Sequence, residues 1–267
     1  MTPDPVELLS IASDLARSAG QLLRRRPADL GVDAKSTPTD AVTVMDKAAE
    51  DLILSELTRT RPEDGVVGEE GTDRPGRSGV TWVIDPLDGT VNYLYGIPHY
   101  AVSVAAEVEG AAVAGAVYDV ARGQLYTASI GAGARCDGVP LRCTSQADPA
   151  FALVGTGFAY AARTRAAQAQ VLRSVLPEVR DIRRAGSAAL DLCAVAAGQL
   201  DGFFEAGMNH WDWAAGALIA TEAGARAGGV GGRPPGTWTT LVANPVLFDR
   251  LDELLRAAGA DRVGVEG

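Results

Sequence analysis

The chain has 267 residues, 47% of them hydrophobic and 22% charged, and a formal net charge of −10. That apolar share is enough for a large buried core, either as one domain or as two coupled halves. The acidic balance disfavours bulk electrostatic attraction to nucleic acid or to an anionic membrane, which makes small-molecule chemistry the leading class of function.

Asp4-Pro5 followed by Val6, Leu9, Ala12, Leu15, Ala16, Ala19 and Leu22 supplies an N-cap, a proline for the first turn and an apolar face at helical spacing. The spacing predicts a long amphipathic helix. No basic region precedes an apolar run here, so no secretion signal is expected. Segment 35–40 is turn chemistry, after which Val44, Ala48, Leu52 and Leu57 mark a second helix ending near Arg61-Pro62 and packed on the first. Val66-Val67 and the run 80–84 read as short apolar strands, and 101–108 and 111–117 flank Glu109-Gly110 as a hairpin. Segment 125–128 extends this sheet, and Asp137-Gly138 suits a two-residue hairpin turn. Residues 1–149 are thus expected to form a helix pair plus a mixed sheet.

In residues 150–267 short strands and helices alternate: 152–156, a helix over 163–176, 179–183, then 187–197. Phe203-Phe204, a helix over 211–223, a strand at Leu241-Val242 and a last helix over 245–258 follow. The class is mixed α/β, with helices covering sheets, and the two halves are expected to make one integrated catalytic unit. The glycine-rich segment 228–236 reads as a flexible surface loop. Cys136, Cys143 and Cys193 have no CxxC spacing and suggest neither a disulfide framework nor a zinc site. No segment approaches the ~20 uninterrupted apolar residues of a membrane helix, so a soluble, cytoplasmic protein is expected.

The most informative stretch is Thr81-Trp82-Val83-Ile84-Asp85-Pro86-Leu87-Asp88-Gly89-Thr90, where an apolar strand runs into two carboxylates, a proline turn and Gly-Thr. Two carboxylates converging across such a turn repel each other and call for a cation, and hard oxygen ligands point to magnesium. Gly89 permits close backbone approach, and a helix opening at Thr90 would turn its N–H groups toward a phosphate. Gly68-Glu69-Glu70-Gly71 presents a second acidic pair at a strand end. Glu205 follows Phe203-Phe204, and Asp212 sits between Trp211 and Trp213, whose rings would desolvate it. Read singly, each of these acids also suits a turn, a cap or a solvated loop. Competing motifs are weak: Gly131-Ala132-Gly133 and Gly155-Thr156-Gly157 lack the third glycine of a dinucleotide fingerprint, there is no GxxxxGK, and no GxSxG heads a triad. His99 and His210 are the only histidines, and both read as structural residues.

Trp82 to Thr90 continued by Val91-Asn92, and Trp211 to Gly224, resemble the two signature segments of the inositol monophosphatase family, with Gly68-Glu69-Glu70 and Gly186-Ser187-Ala188-Ala189 at fitting distances. The resemblance runs from the first helix to about Asn244. It implies a layered α-β-α-β-α fold, a small phosphorylated polyol as substrate, and a homodimer; from the acidic charge, no nucleic-acid or membrane partner is expected. By the same resemblance Glu69, Asp85, the Leu87 carbonyl, Asp88 and Asp212 would coordinate two or three Mg2+ ions, with Asp85 bridging two. Gly89 and Thr90 would cradle the phosphate. Thr90 and Glu69 would position the attacking water, and Asp46 would support Thr90. Asp88, Gly186, Ala188, Glu205 and Asp212 would contact substrate hydroxyls, while Lys35 falls near a mobile metal-site loop. Leu87 stands where isoleucine is commoner, and Asn209-His210 falls where the family varies. The implied activity is hydrolysis of myo-inositol 1-phosphate, in which lithium sensitivity is expected. Histidinol phosphate, fructose 1,6-bisphosphate or 3′-phosphoadenosine 5′-phosphate are alternative substrates within the superfamily. A catalytically silent binding or regulatory relative is the alternative of another class.

Overall fold

Asp4 accepts from the Val6 amide and Pro5 fills the first turn, so α1 (Pro5–Leu23) starts at the predicted cap. The structure, a computed structural model, describes residues 3–264. The 35–40 turn is closed by two short strands, β1 (Asp33–Ala34) and β2 (Ala41–Val42). Helix α2 (Val44–Thr60) then opens on a reciprocal capping box, with Thr43 and Asp46 each accepting from the other's end of the turn.

The first sheet contains β3 (Gly65–Gly68), β4 (Asp73–Arg74), β5 (Val80–Asp88), β6 (Ala101–Val108), β7 (Ala111–Asp119), β8 (Gln124–Ser129), β9 (Ala134–Cys136) and β10 (Val139–Pro140). Its order is β10-β9-β8-β7-β6-β5-β3-β4. All neighbours are antiparallel except β3 and β5, which run parallel with Gly68 opposite Ile84. Both predicted hairpin turns are present. Glu109 and Gly110 (φ 53° and 77°) and Asp137 and Gly138 (φ 46° and 83°) take the left-handed conformation that matches the twist of two-residue hairpins.

The second sheet is β12-β11-β13-β15-β14, built from β11 (Leu153–Thr156), β12 (Asp181–Arg183), β13 (Gly202–Glu205), β14 (Arg226–Gly229) and β15 (Thr240–Ala243). Helices α5 (Ala188–Ala196) and α6 (His210–Glu222) lie between the sheets, while α4 (Ala162–Val175) and α7 (Pro245–Ala257) cover the far face of the second. The layers are therefore α-β-α-β-α, as the resemblance implied.

Each layer boundary has its own apolar packing. Trp82 and Ile84 of β5 pack with Leu8, Leu15 and Ile53 under α1 and α2. Val83 faces the other way, with Leu192, Ala214, Ile219 and Phe203. Val154 and Leu241 meet Val171, Leu247 and Leu251 behind the second sheet. Burial on both faces explains why β5 is a continuous apolar run and not an alternating one.

One expectation is corrected. Gly228 and Gly229 of the supposed 228–236 loop are in β14, paired with Leu241 and Thr240, and Val230 is buried. A Cβ at Gly228 would sit 3.2 Å from the Phe248 ring, so this glycine reflects tight packing of a strand and not a free chain. Among the described residues, no helix is long and apolar enough to cross a membrane.

Candidate active site

Parallel pairing of β3 with β5 brings two acids to one sheet end. The Glu69 amide donates to the Ile84 carbonyl at 3.2 Å, and the Glu69 and Asp85 carboxyls share a hydrogen bond. The register of β5 on β6 slips between Asp85 and Asp88, turning both carboxyls toward one cleft. Gly89 caps the short helix α3 (Thr90–Tyr95) with φ of 94°, a conformation that suits glycine, and a Cβ there would lie 3.0 Å from the His99 carbonyl. From the other sheet come Glu205, at the end of β13, and Asp212, in the first turn of α6.

A cleft of about 480 Å³ gathers Glu69, Asp85, Leu87, Asp88, Gly89, Thr90, Gly186, Ala188, Glu205 and Asp212. Asp46 lies behind it, fully buried, with Oδ1 2.9 Å from Thr90 Oγ1 and Oδ2 2.8 Å from the Thr43 amide. The Leu87 carbonyl is 3.0 Å from the same Thr90 hydroxyl, whose single hydrogen serves one acceptor at a time. Asp88 accepts from the Ser187 hydroxyl and, at 2.7 Å, from the Ala189 amide, at the N-terminus of α5. All the predicted site residues thus line the cleft or contact a residue that does.

The acids titrate abnormally. Burial drives Asp85 well above the usual carboxylate range, and the charges of Glu69, Asp88 and Asp212 add to it. Asp212 is raised likewise, by burial and by Glu69 and Asp88. Burial lifts Asp88 to about 6 despite its donors, and Glu205 to about 8. Glu69 and Asp46 are raised by burial as well, though Lys35 offsets part of both shifts. Burial alone would lower the Lys35 ammonium; Glu69 and Glu70, both bonded to its Nζ, more than reverse this and hold it charged.

This donor set fits a hard divalent cation. It offers only oxygen, and a cation would relieve the repulsion and desolvation that push these carboxyls up. In the arrangement described, no three Asp, Glu, His or Cys side chains among the described residues already enclose one point. Asp88 is instead turned onto α5, and Lys35 supplies the positive charge beside Glu69.

His210 meets Glu107 at 2.7 Å and stacks near Trp213, a structural setting, whereas the buried His99 Nε2 lies 3.8 Å from Asp191 with no hydrogen-bond partner among the described residues. Sequence reasoning passed over the lining residues Tyr160, Arg184 and Asp191, and gave Ser187 and Gly157 no role in the site. One support carried a readable signal, since Thr43-x-x-Asp46 has capping-box spacing and so marks Asp46 as a helix-start acid.

The five-layer fold and its carboxylate cleft define a metal-dependent phosphoric monoester hydrolase. The model of the "Inositol monophosphatase family" matches residues 4–260, and the chain belongs to that family. It is 49% identical to an inositol-1-monophosphatase of Mycobacterium leprae, over 94% of this chain and 98% of the relative. It is 40% identical to the Nus factor SuhB of Escherichia coli K12, over 81% and 83%. Among solved structures, Mycobacterium tuberculosis SuhB superposes with a TM-score of 0.83 at 45% identity, covering 96% of this chain and 98% of that one. The SuhB protein of Bartonella henselae gives 0.89 at 34% identity, covering 94% and 98%.

Proposed function

We propose that the protein hydrolyses myo-inositol 1-phosphate to myo-inositol and phosphate with magnesium, two or three ions being held by Glu69, Asp85, the Leu87 carbonyl, Asp88 and Asp212. The observation that carries this reading is the meeting of these oxygen donors with the Thr90–Asp46 pair in one cleft. The name inositol-1-monophosphatase, borne by the relative that is 49% identical, supports the substrate. Residues 1–149 and 150–267 act as one catalytic unit in this reading, since donors come from both, and the expected assembly is a homodimer.

When bound, magnesium neutralises the phosphate, lowers the pKa of water and stabilises the departing alkoxide. The chain's own residues do the rest. The Thr90 hydroxyl donates its hydrogen bond to Asp46, which leaves its oxygen lone pairs to accept a hydrogen bond from the attacking water. Glu69 holds that water from the β3 side. The Gly89 and Thr90 amides receive the phosphate oxygens, a cradle open because Gly89 has no side chain. Gly186 and Ala188, with the carboxyls of Asp88, Glu205 and Asp212, orient the polyol hydroxyls. No side-chain nucleophile is needed.

The test is phosphate release from myo-inositol 1-phosphate, histidinol phosphate, fructose 1,6-bisphosphate and 3′-phosphoadenosine 5′-phosphate, each with magnesium and with chelator. Release led by inositol 1-phosphate and abolished by chelation is expected. A kcat/KM for another substrate far ahead of it sinks the substrate assignment. The name Nus factor, borne by one relative, fits the regulatory half of the alternative reading and carries nothing about turnover. Against a silent role stands the complete set of Glu69, Asp85, Asp88, Thr90 and Asp212, and the absence of turnover on all four substrates would favour it.

A further inference from the structure

The tightest packing around any described glycine is at Gly157, one residue past β11. A Cβ built there would lie 1.9 Å from Glu205 Oε2, 2.1 Å from its Cδ and 2.3 Å from Oε1, so the carboxyl group fills the space a side chain would take. The topology produces this. β11 and β13 are parallel neighbours with Thr156 opposite Phe204, so the next residues on the two strands, Gly157 and Glu205, stand side by side at the cleft wall. Gly157 is not among the glycines with positive φ, so its backbone would accept any residue. Space alone requires glycine here.

Glu205 is also a cleft acid whose carboxyl has no hydrogen bond to any described residue. Asp46, Asp88 and Asp212 accept backbone amides, and Glu69 is bonded to Lys35 and Asp85. The influences on Glu205 are burial and the charges of Arg184, Asp88 and Asp191, with no hydrogen bond among them. A carboxyl parked against a glycine and free of internal partners has its hydrogen-bonding capacity directed at whatever enters the cleft.

We propose that Gly157 is a specificity-determining position: the missing side chain seats the Glu205 carboxyl against β11, where it recognises a hydroxyl of the leaving polyol. The site thereby favours phosphorylated polyols over phosphate esters whose leaving group has no second hydroxyl. This rests on the reading of the cleft as a polyol-phosphate site.

The experiment compares kcat/KM for myo-inositol 1-phosphate with that for phenyl phosphate, whose leaving group lacks other hydroxyls. Glycine-to-alanine replacement at 157 is tolerable to the fold because the obstructing atoms are the far end of a flexible side chain that can swing away. In Gly157→Ala the inositol-to-phenyl ratio is expected to fall about tenfold, the scale of one lost hydrogen bond to a buried acid. Adding Gly157→Ala to Glu205→Ala is expected to change that ratio less than about twofold, because both changes remove the same contact. Shortening the acid in Gly157→Ala/Glu205→Asp makes room for the new methyl and is expected to restore part of the ratio. Equal loss on both substrates, or additive effects in the double variant, would overturn the inference. Wild-type enzyme that turns over neither inositol 1-phosphate nor another polyol phosphate instead overturns the underlying reading. If a different polyol phosphate is preferred, the same variants are compared on that substrate.

Discussion

Thr90→Val removes one hydroxyl and leaves the side chain's shape, so it separates what that group does for the fold from what it does for turnover. In the folded protein Thr90 Oγ1 lies 2.9 Å from Oδ1 of Asp46, a residue with 0% exposure. The other carboxylate oxygen keeps the Thr43 amide and hydroxyl, so only Oδ1 is stripped of its donor. Leaving one buried acceptor unsatisfied costs about 1–3 kcal/mol, and for a chain of this size that lowers Tm by roughly 2–6 °C. Turnover suffers far more. Losing the group that accepts from the attacking water is expected to reduce kcat by about 10²–10⁴, with kcat/KM falling in parallel because the amide of residue 90 still meets the phosphate. Thr90→Ser restores the hydroxyl and should recover most of both. Phosphate release at saturating magnesium and substrate, beside thermal unfolding, measures the two effects. A variant that loses Tm but keeps kcat within about threefold would show the hydroxyl to be a structural tie only, and the assigned role of the Thr90–Asp46 pair would fall.

The raised acids set a pH signature for the protein in chelator. A carboxyl whose folded pKa exceeds its unfolded one adds stability below the unfolded value and loses it as pH rises through the folded value. With Asp88 at about 6 and Glu205 at about 8, Tm in chelator should fall as pH rises from about 4 to 8. Excess magnesium, which binds the ionised acids, should flatten that fall, and a Tm in chelator that rises over the same range would refute the argument. Gly89→Ala forces a side chain onto a φ of 94° and sets its Cβ 3.0 Å from the His99 carbonyl. A loss of about 1–3 kcal/mol is expected, together with a raised KM from the displaced phosphate cradle, and an unchanged Tm would show that the backbone adapts.

The mixed α/β elements were readable because they carry strong local signals, whereas their five-layer stacking came from the family resemblance. Asp4-Pro5 set the start of α1, and both hairpin turns needed left-handed pairs that Glu109-Gly110 and Asp137-Gly138 provide. The glycine-rich segment misled because composition cannot distinguish a glycine that frees a loop from one that admits the Phe248 ring against a strand. Several site relations depend on pairing between distant segments. Glu69 reaches Asp85 through the parallel β3–β5 register, and Asp46 reaches Thr90 across 44 positions. The family signatures pointed to these residues without giving that geometry. Gly157 carried no signal at all, since its role exists only once β11 and β13 lie side by side.

A cleft holding this many buried acids opposes folding, and the chain offsets the opposition with its helices. Asp46 and Asp212 stand at the third position of α2 and α6, each accepting the amide that begins its own helix. Asp88 accepts from the Ser187 hydroxyl and from the first two amides of α5, those of Ala188 and Ala189, about a hundred positions along the chain. Three site carboxylates therefore sit where helix dipoles and unpaired N–H groups stabilise negative charge. The first turns of α5 and α6 line the cleft, and that of α2 lies behind it, joined through the Asp46–Thr90 contact. Each of these residues accepts hydrogen bonds at a helix start, and Asp88 and Asp212 also line the cleft. Asparagine offers the same carbonyl oxygen to a helix amide and carries no charge. Loss of charge can therefore be separated from loss of a cap at all three positions by comparing asparagine with alanine.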